Sequence, residues 1–327
     1  MNPFTYTRAG DAQQAINAFQ GSPGPFYVAG ATDVMQLLRE DVYSPGTLVD
    51  ISSLPYTQVE VGPRGARIGA LARLADVADD DAVLRYYPLL ARVLRETAST
   101  QIRNVATMGG NLLQRTRCLY FRDAHTACNK RRPGSGCAAM RGANRINAIL
   151  GTSEQCIAAY PGDMAVALVV LDAHIQLEGP DGPRSVPVAE LHRVPADDPA
   201  HDTTLRPGEI ITRIDLPASR FAESCAFVKA RDRMTFEWAL ASAAVGLEMD
   251  GGTVRVARVA AGGVGTVPWP LPRVEHALIG KALSAERAAK AAALSVEGAR
   301  SAGDNGFKLK LLPRVVEQAI LAAGGQA

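Results

Sequence analysis

The sequence predicts an α+β protein: two mixed α/β subdomains, then a C-terminal antiparallel sheet with helices. Three observations carry this reading. Short apolar strands and amphipathic helices alternate through the first 60 residues. The composition shifts after Pro217-Ala218-Ser219-Arg220, which reads as a linker. A long apolar strand, a Gly251-Gly252 turn and a second strand then form a hairpin pattern, and two helices rich in alanine and leucine follow.

In chain order, Ala12–Phe19 is a short amphipathic helix. Phe26–Ala29 is a buried strand ending at Gly30, after which Thr32 and Asp33 are placed to cap the helix Val34–Glu40. Leu48–Ile51 is a strand. Val59–Val61 and Arg67–Leu71 form a hairpin around Gly62-Pro63-Arg64-Gly65. Leu74–Asp80 and Leu84–Ala98 are helices, the second with apolar residues at Leu89, Leu90, Val93 and Leu94. After an irregular stretch, Met164–Leu171 reads as an apolar strand paired with Ile175–Glu178. The helix Val188–Leu191 and the strand Ile210–Leu216 complete the first part. Beyond the linker come strands Cys225–Ala230, Ala239–Asp250 and Val254–Ala261, a proline-rich connection from Pro268 to Pro272, and helices Ala285–Ala299 and Leu311–Ala323.

Four of the five cysteines, Cys118, Cys128, Cys137 and Cys156, fall within 39 residues. Scattered core cysteines do not cluster this way. The spacing C-x9-C-x8-C-x18-C contains no pair two to four residues apart, the usual knuckle of structural zinc. Four thiolates also suit an iron–sulfur cluster, although common ferredoxin spacings are tighter. On spacing alone a cluster, zinc, disulfides and unligated thiols all stay open. From Arg115 to Arg145 eight Lys or Arg face a single acid, Asp123. Such cations would compensate a buried, negatively charged cluster. His125 reads as a loop residue, and Cys225, alternating with Phe227, as a core thiol.

The net charge of +2 and the sparse aromatic interleaving of the basic run argue against a nucleic-acid partner. No stretch reaches 18 apolar residues, so no membrane insertion is expected; Val166–Ala173 is too short. The N-terminus encodes no signal peptide. The expected location is the periplasm if a signal-bearing partner co-exports the chain, and otherwise the cytoplasm. A reducing compartment during folding counts against disulfides.

Two glycine turns stand out. Ala29-Gly30-Ala31-Thr32-Asp33 joins a strand to a helix, so the amides from Ala31 to Val34 can face an anion. Thr107-Met108-Gly109-Gly110-Asn111 is a second place where backbone can approach a ligand closely. Neither fits G-x-G-x-x-G or the P-loop pattern, so a Rossmann or Walker site is not supported.

Phe26–Val34, Arg103–Asn111 and the Pro161-Gly162-Asp163 turn resemble the FAD-binding (medium) subunit of the molybdenum hydroxylases, the family of xanthine dehydrogenase, aldehyde oxidases and carbon monoxide dehydrogenase. The resemblance runs from Phe4 to the C-terminal helices. The segment from Gln114 to Cys156, above all Cys128–Cys137, resembles the 4Fe-4S-bearing flavin subunit of bacterial periplasmic-type aldehyde oxidoreductases. This implies a PCMH-type FAD-binding domain over 1–218, as two subdomains with the insert at about 114–160. A flavoprotein C-terminal domain of the carbon monoxide dehydrogenase type would cover 219–327.

By the same resemblance, Tyr27, Val28, Ala29, Gly30, Ala31, Thr32, Asp33 and Val34 wrap the FAD pyrophosphate. Thr107, Gly109, Gly110 and Asn111 lie along the ribityl and phosphate portion. Asp163 bonds adenosine or ribityl hydroxyls, Lys229 reaches the flavin end and Ile211 packs on adenine. Cys118, Cys128, Cys137 and Cys156 ligate a 4Fe-4S cluster. Relatives often carry a second glycine where this chain has Ala31. On composition alone Asp163 is equally a turn residue and Lys229 an exposed strand charge. Met234, Trp238 and Gly262-Gly263 fit the flavin-domain interface and core packing equally well. No residue is assigned a catalytic role.

The implied function is electron transfer within a heterotrimer. A molybdenum-cofactor large subunit oxidises an aldehyde, a 2Fe-2S small subunit relays the electrons, and FAD here passes them to an external acceptor. The chain by itself is expected to leave aldehydes untouched. Three alternatives remain: a flavin subunit of a hydroxybenzoyl-CoA reductase-like complex, a zinc-stapled flavoprotein, and a non-catalytic binding module.

Overall fold

The computed structural model describes residues 1–326. Two α/β sheets precede one C-terminal sheet, as expected from the sequence. The first is parallel: the strand Thr47–Asp50 lies between Thr5–Arg8 and Pro25–Val28. Helix Ala12–Gln20 begins where the Asp11 carboxylate accepts the Gln14 amide at 2.8 Å, and helix Val34–Arg39 makes the second crossover. The second sheet is antiparallel, in the order Val59–Gly62, Gly65–Gly69, Ile210–Pro217, His174–Gly179, Gly182–Pro187. The third runs Trp269–Pro270, Thr253–Gly262, Ala241–Asp250, Cys225–Ala230. Its central hairpin turns at Gly251 and Gly252, both at positive φ (51° and 84°), the geometry that two-residue hairpins favour.

Several expectations need correction. Residues Asp163–Val170 form a helix, not a strand. Seven of its eight residues are buried, because it packs against helix Pro88–Glu96 and both long strands of the third sheet. Burial on every side removes the periodicity that would distinguish a helix from a strand. The strand His174–Gly179 pairs instead with Gly182–Pro187 and Ile210–Pro217. The stretch from Leu84 onward is two helices, Asp81–Tyr86 and Pro88–Glu96. Pro88 starts the second and pushes Tyr87 out of helical geometry. Pro272 likewise opens a helix, Pro272–Leu278, inside what reads as a proline-rich connection. Helix Ala285–Ala292 gives way to a 3-10 turn over Ala293–Val296, short of Ala299.

The segment 114–160 is irregular apart from the short turns Leu119–Arg122 and Ala138–Met140. It has its own apolar cluster, built from Cys118, Phe121, Cys128, Ala139, Cys156 and Ile157 with Leu37 and Val42 of the first subdomain. No helix among the described residues is long and apolar enough to cross a membrane.

Candidate functional site

One cleft of about 850 Å³ lies between the first two sheets, the cysteine segment and the edge of the third sheet. Cofactor pockets span roughly 300–1,000 Å³. All fifteen residues singled out as flavin contacts line it: Tyr27 to Val34, Thr107, Gly109, Gly110, Asn111, Asp163, Ile211 and Lys229. Residues separated by up to 202 positions in sequence thus converge on one concave surface.

The first glycine segment leaves the strand Pro25–Val28 and crosses Val105-Ala106. A β-carbon on Gly30 would stand 2.2 Å from the Val105 carbonyl oxygen, so the glycine lets two backbones touch. Ala31 follows at φ +56°, a left-handed conformation that disfavours side chains. Among the described residues, the amides of Gly30 to Val34 donate to no protein acceptor. Five amides in a tight bend form a cradle suited to an anion. Asp33 does not cap helix Val34–Arg39 with its side chain. Its carboxylate accepts the Arg115 amide at 2.8 Å and meets Arg117 and Arg122 at 2.8 and 2.7 Å.

The second glycine segment is the helix Met108–Leu112, not an open turn. Thr107 caps it, its hydroxyl oxygen accepting the Gly110 amide at 3.2 Å. The Met108 and Gly109 amides bond the carbonyls of Ala72 and Ala70 at 2.9 and 2.7 Å. The backbone donors here are spent on the fold and unavailable to phosphate. A β-carbon on Gly109 would press Ala70 at 3.0 Å and approach Ile211 at 3.5 Å. What this segment offers the cleft is the Asn111 side chain, whose Oδ1 is buried and unpartnered among the described residues.

Asp163 and Lys229 meet each other. Lys229 Nζ donates to Asp163 Oδ2 at 2.7 Å, with side chains 1% and 5% exposed. Burial pushes the Asp163 carboxyl up, against the pull of the Lys229 ammonium. Neither is a surface charge, and Asp163 starts a helix instead of sitting in a turn. The loop Arg231–Leu240 overhangs this end: Phe236 and Trp238 line the cleft while half-exposed, and the Arg117 guanidinium lies 4.6 Å over the Trp238 ring. Met234 points outward at 82% exposure.

The cysteine segment forms the remaining wall. Arg115 pairs with Asp202 at 2.7 Å, and Lys130 pairs with the same carboxylate. Arg131 caps the carbonyls of Tyr120 and Phe121, both at 2.8 Å. The basic run is therefore neutralised largely by acids from outside it, Asp33 and Asp202, instead of being directed at sulfur. The four cysteines share one apolar cluster, Cys128 and Cys137 lying opposite each other in a bridge. Asn147 Nδ2 lies 3.5 Å from Cys118 Sγ, and the Ala158 amide 3.4 Å from Cys156 Sγ. As thiols, Cys137 is raised by burial and Cys156 is pushed up to about 12. All five cysteines are unpaired. Among the described residues no three His, Cys, Asp or Glu side chains converge to hold a single metal ion.

Sequence reasoning missed His192, buried in the cleft wall with Nε2 2.9 Å from the Leu112 carbonyl. No motif signals it. It also missed the reach of Asp202 and Glu209, which anchor Arg115, Lys130 and Arg184 around the cleft.

Residues 2–219 match the family model described as "FAD binding domain in molybdopterin dehydrogenase". The chain belongs to this family. Residues 226–325 match the "CO dehydrogenase flavoprotein C-terminal domain". The chain is 40% identical to the aldehyde oxidoreductase FAD-binding subunit PaoB of Escherichia coli K12, over 100% of both chains. It is 27% identical to the glyceraldehyde dehydrogenase medium chain of Sulfolobus acidocaldarius, over 86% of this chain and 83% of that one. Its fold matches carbon monoxide dehydrogenase of Hydrogenophaga pseudoflava with a TM-score of 0.77 at 22% identity, covering 100% of both chains. The enzyme from Oligotropha carboxidovorans superposes with a TM-score of 0.78 at 21% identity, over 100% and 99% of the chains. The protein is an FAD-binding medium subunit of the molybdenum-dependent oxidoreductase type, with an electron-transfer role.

Proposed function

We propose that this chain is the flavin arm of a heterotrimeric aldehyde oxidoreductase, with FAD in the cleft and a 4Fe-4S cluster held by Cys118, Cys128, Cys137 and Cys156. One observation carries the reading: fifteen residues drawn from five parts of the chain line a single cleft that includes a run of free amides. FAD supplies the step between one-electron iron–sulfur donors of a small 2Fe-2S partner and an external acceptor, while a molybdenum-cofactor large subunit performs the aldehyde chemistry. The protein's own task is to hold and orient.

The amides of Gly30 to Val34 bind the pyrophosphate without a cation, because a tight bend focuses their dipoles on an anion. Asn111 and Asp163 offer oxygens to sugar hydroxyls, and Lys229 fixes the Asp163 carboxyl in place by direct pairing. Ile211 gives adenine an apolar face. Phe236 and Trp238 shield the cleft mouth from water.

For the cluster, the residues fit in kind. Four cysteines border one apolar pocket, with amides facing two of the sulfurs, as bound sulfur requires. We place the domain division at 1–218 and 219–327, with the insert at about 114–160, a reading supported by the two family matches. The compartment would be the periplasm with a signal-bearing partner and the cytoplasm without one.

Metal and flavin content of the co-expressed complex is the test. One FAD and about four extra irons in this chain are expected, with aldehydes reducing the flavin only in the complete complex. Stoichiometric zinc, or flavin reduction by aldehyde in the isolated chain, would sink the proposal.

A further inference from the structure

We propose that His192 is a flavin-binding residue whose Nδ1 accepts a hydrogen bond from a hydroxyl of the bound dinucleotide. The inference rests on the FAD reading of the cleft and adds a contact that no glycine motif supplies.

The imidazole is held by Leu112 and Tyr160. Its Nε2 lies 2.9 Å from the Leu112 carbonyl oxygen. That oxygen can only accept, so Nε2 must carry the proton. Tyr160 donates its hydroxyl to the same oxygen at 3.1 Å, and its ring packs on the imidazole with centroids 4.3 Å apart. Burial lowers the pKa of His192 to about 4, so the ring is neutral and Nδ1 keeps a bare lone pair.

That lone pair is the anomaly. His192 is 8% exposed, lines the cleft, and its Nδ1 is buried without a partner among the described residues. Buried polar atoms nearly always find one. An acceptor repels phosphate oxygens and takes a donor. Asn111 Oδ1, one residue before Leu112, is a second buried, unpartnered acceptor on the same wall. Two unpartnered acceptors near Leu112, in the same cleft as a bend of free amides, give the site acceptors for hydroxyls as well as donors for phosphate. Within a flavin dinucleotide the hydroxyls belong to the ribityl chain or to the adenosine ribose.

Two substitutions separate the halves of the ring. In His192→Gln the terminal amide still donates to Leu112 but the Nδ1 acceptor is gone. In His192→Asn the carbonyl oxygen replaces Nδ1 and the Leu112 bond is lost. Binding to the flavin-stripped full chain is measured by flavin fluorescence for three probes: FAD, an analogue with an unsubstituted alkyl chain for ribityl, and 2′,3′-dideoxyadenosine FAD. His192→Gln should bind FAD at least about tenfold more weakly, and His192→Asn within about threefold of wild type. Wild type should lose a similar factor with one of the two deoxy analogues, and His192→Gln should show no further loss with it. The sensitive analogue identifies the sugar. Equal affinities of wild type and His192→Gln for FAD, or the same loss for all three probes, would overturn the proposal while leaving the FAD site intact. Failure of the wild-type chain to bind FAD at all would remove both.

Discussion

Asp33 is where the flavin loop is bolted to the cysteine segment, and replacing it with asparagine isolates that role. The substitution keeps the shape and the ability to accept the Arg115 amide, now at 2.8 Å. It removes the charge that Arg117 and Arg122 face at 2.8 and 2.7 Å. Those guanidiniums are only 16% and 13% exposed, so neither can rehydrate without moving. Burial has already brought Arg117 down to about 10, with Asp33 the main counterweight. Stripping one partner from a buried pair costs about 3–5 kcal/mol. The residual exposure and the retained amide bond reduce this to about 2–3 kcal/mol. If half of that falls on the order of the loop, FAD affinity drops about tenfold.

The assays are urea unfolding of the flavin-stripped chain and FAD titration, each repeated in Arg122→Gln and in the double variant. Strong non-additivity is expected, because the two residues share one interaction. The pH dependence follows from the same contact. Burial alone would raise the Asp33 carboxyl, but Arg117 and Arg122 outweigh it and hold the group below its usual 3.8. A depressed carboxylate stabilises the fold fully above its unfolded pKa and loses that contribution as pH falls through the folded value. The gap between wild type and Asp33→Asn should therefore be constant above pH about 5 and close on acidification below about 3.8. Stability and FAD affinity in Asp33→Asn within about 0.5 kcal/mol of wild type would show that the contact is incidental.

Gly30→Ala should uncouple the two glycine segments, since its β-carbon would stand 2.2 Å from the Val105 carbonyl oxygen; folded protein with normal FAD content would contradict this. Ala31→Gly relieves a φ of +56° at the expense of a looser unfolded chain, so urea unfolding should show a change of no more than about 1 kcal/mol, with FAD binding retained. For His192, burial lowers the pKa from 6.5 to about 4, so the unfolded chain binds the extra proton between those values and stability falls on acidification across that window. The full effect is about 3 kcal/mol, and His192→Gln should flatten the slope that urea midpoints trace between pH 7 and 4. Cys156→Ser should remove about four irons per chain and loosen the segment 114–160, because ligation energy is also folding energy; unchanged iron content would rule out that ligand.

Much of the fold was legible because its elements follow local rules. The hairpin at Gly251-Gly252 and the strand Pro25–Val28 with its glycine exit are written in adjacent residues. The misreadings share a cause. Asp163–Val170 is apolar on every face because helices and strands from both halves of the chain surround it, and that enclosure leaves no trace in its own eight residues. By sequence one helix runs through Pro88, and Pro272 reads as part of a connection, yet both prolines act as helix starts, since the first helical position needs no amide donor.

The cleft was legible in its members and not in their employment. The glycines at 109 and 110 mark a ligand wall, yet their amides serve Ala70 and Thr107. Their small size does the work instead, bringing the helix against Ala70 and Ile211. The basic run between Arg115 and Arg145 shows the same limit more sharply. Eight cations beside four cysteines suggest compensation of a negative cluster. The structure spends two of them on Asp33, 84 and 89 positions away, and two on Asp202, 72 and 87 positions away. Those two acids belong to two different stretches of the cleft wall, the first glycine segment and the connection before the strand Ile210–Pro217. A segment that pairs with both cannot be a detachable metal loop, because removing it would leave each stretch with an uncompensated carboxylate. Iron content and flavin affinity should therefore fall together when either acid is neutralised, even though neither acid is a cysteine ligand.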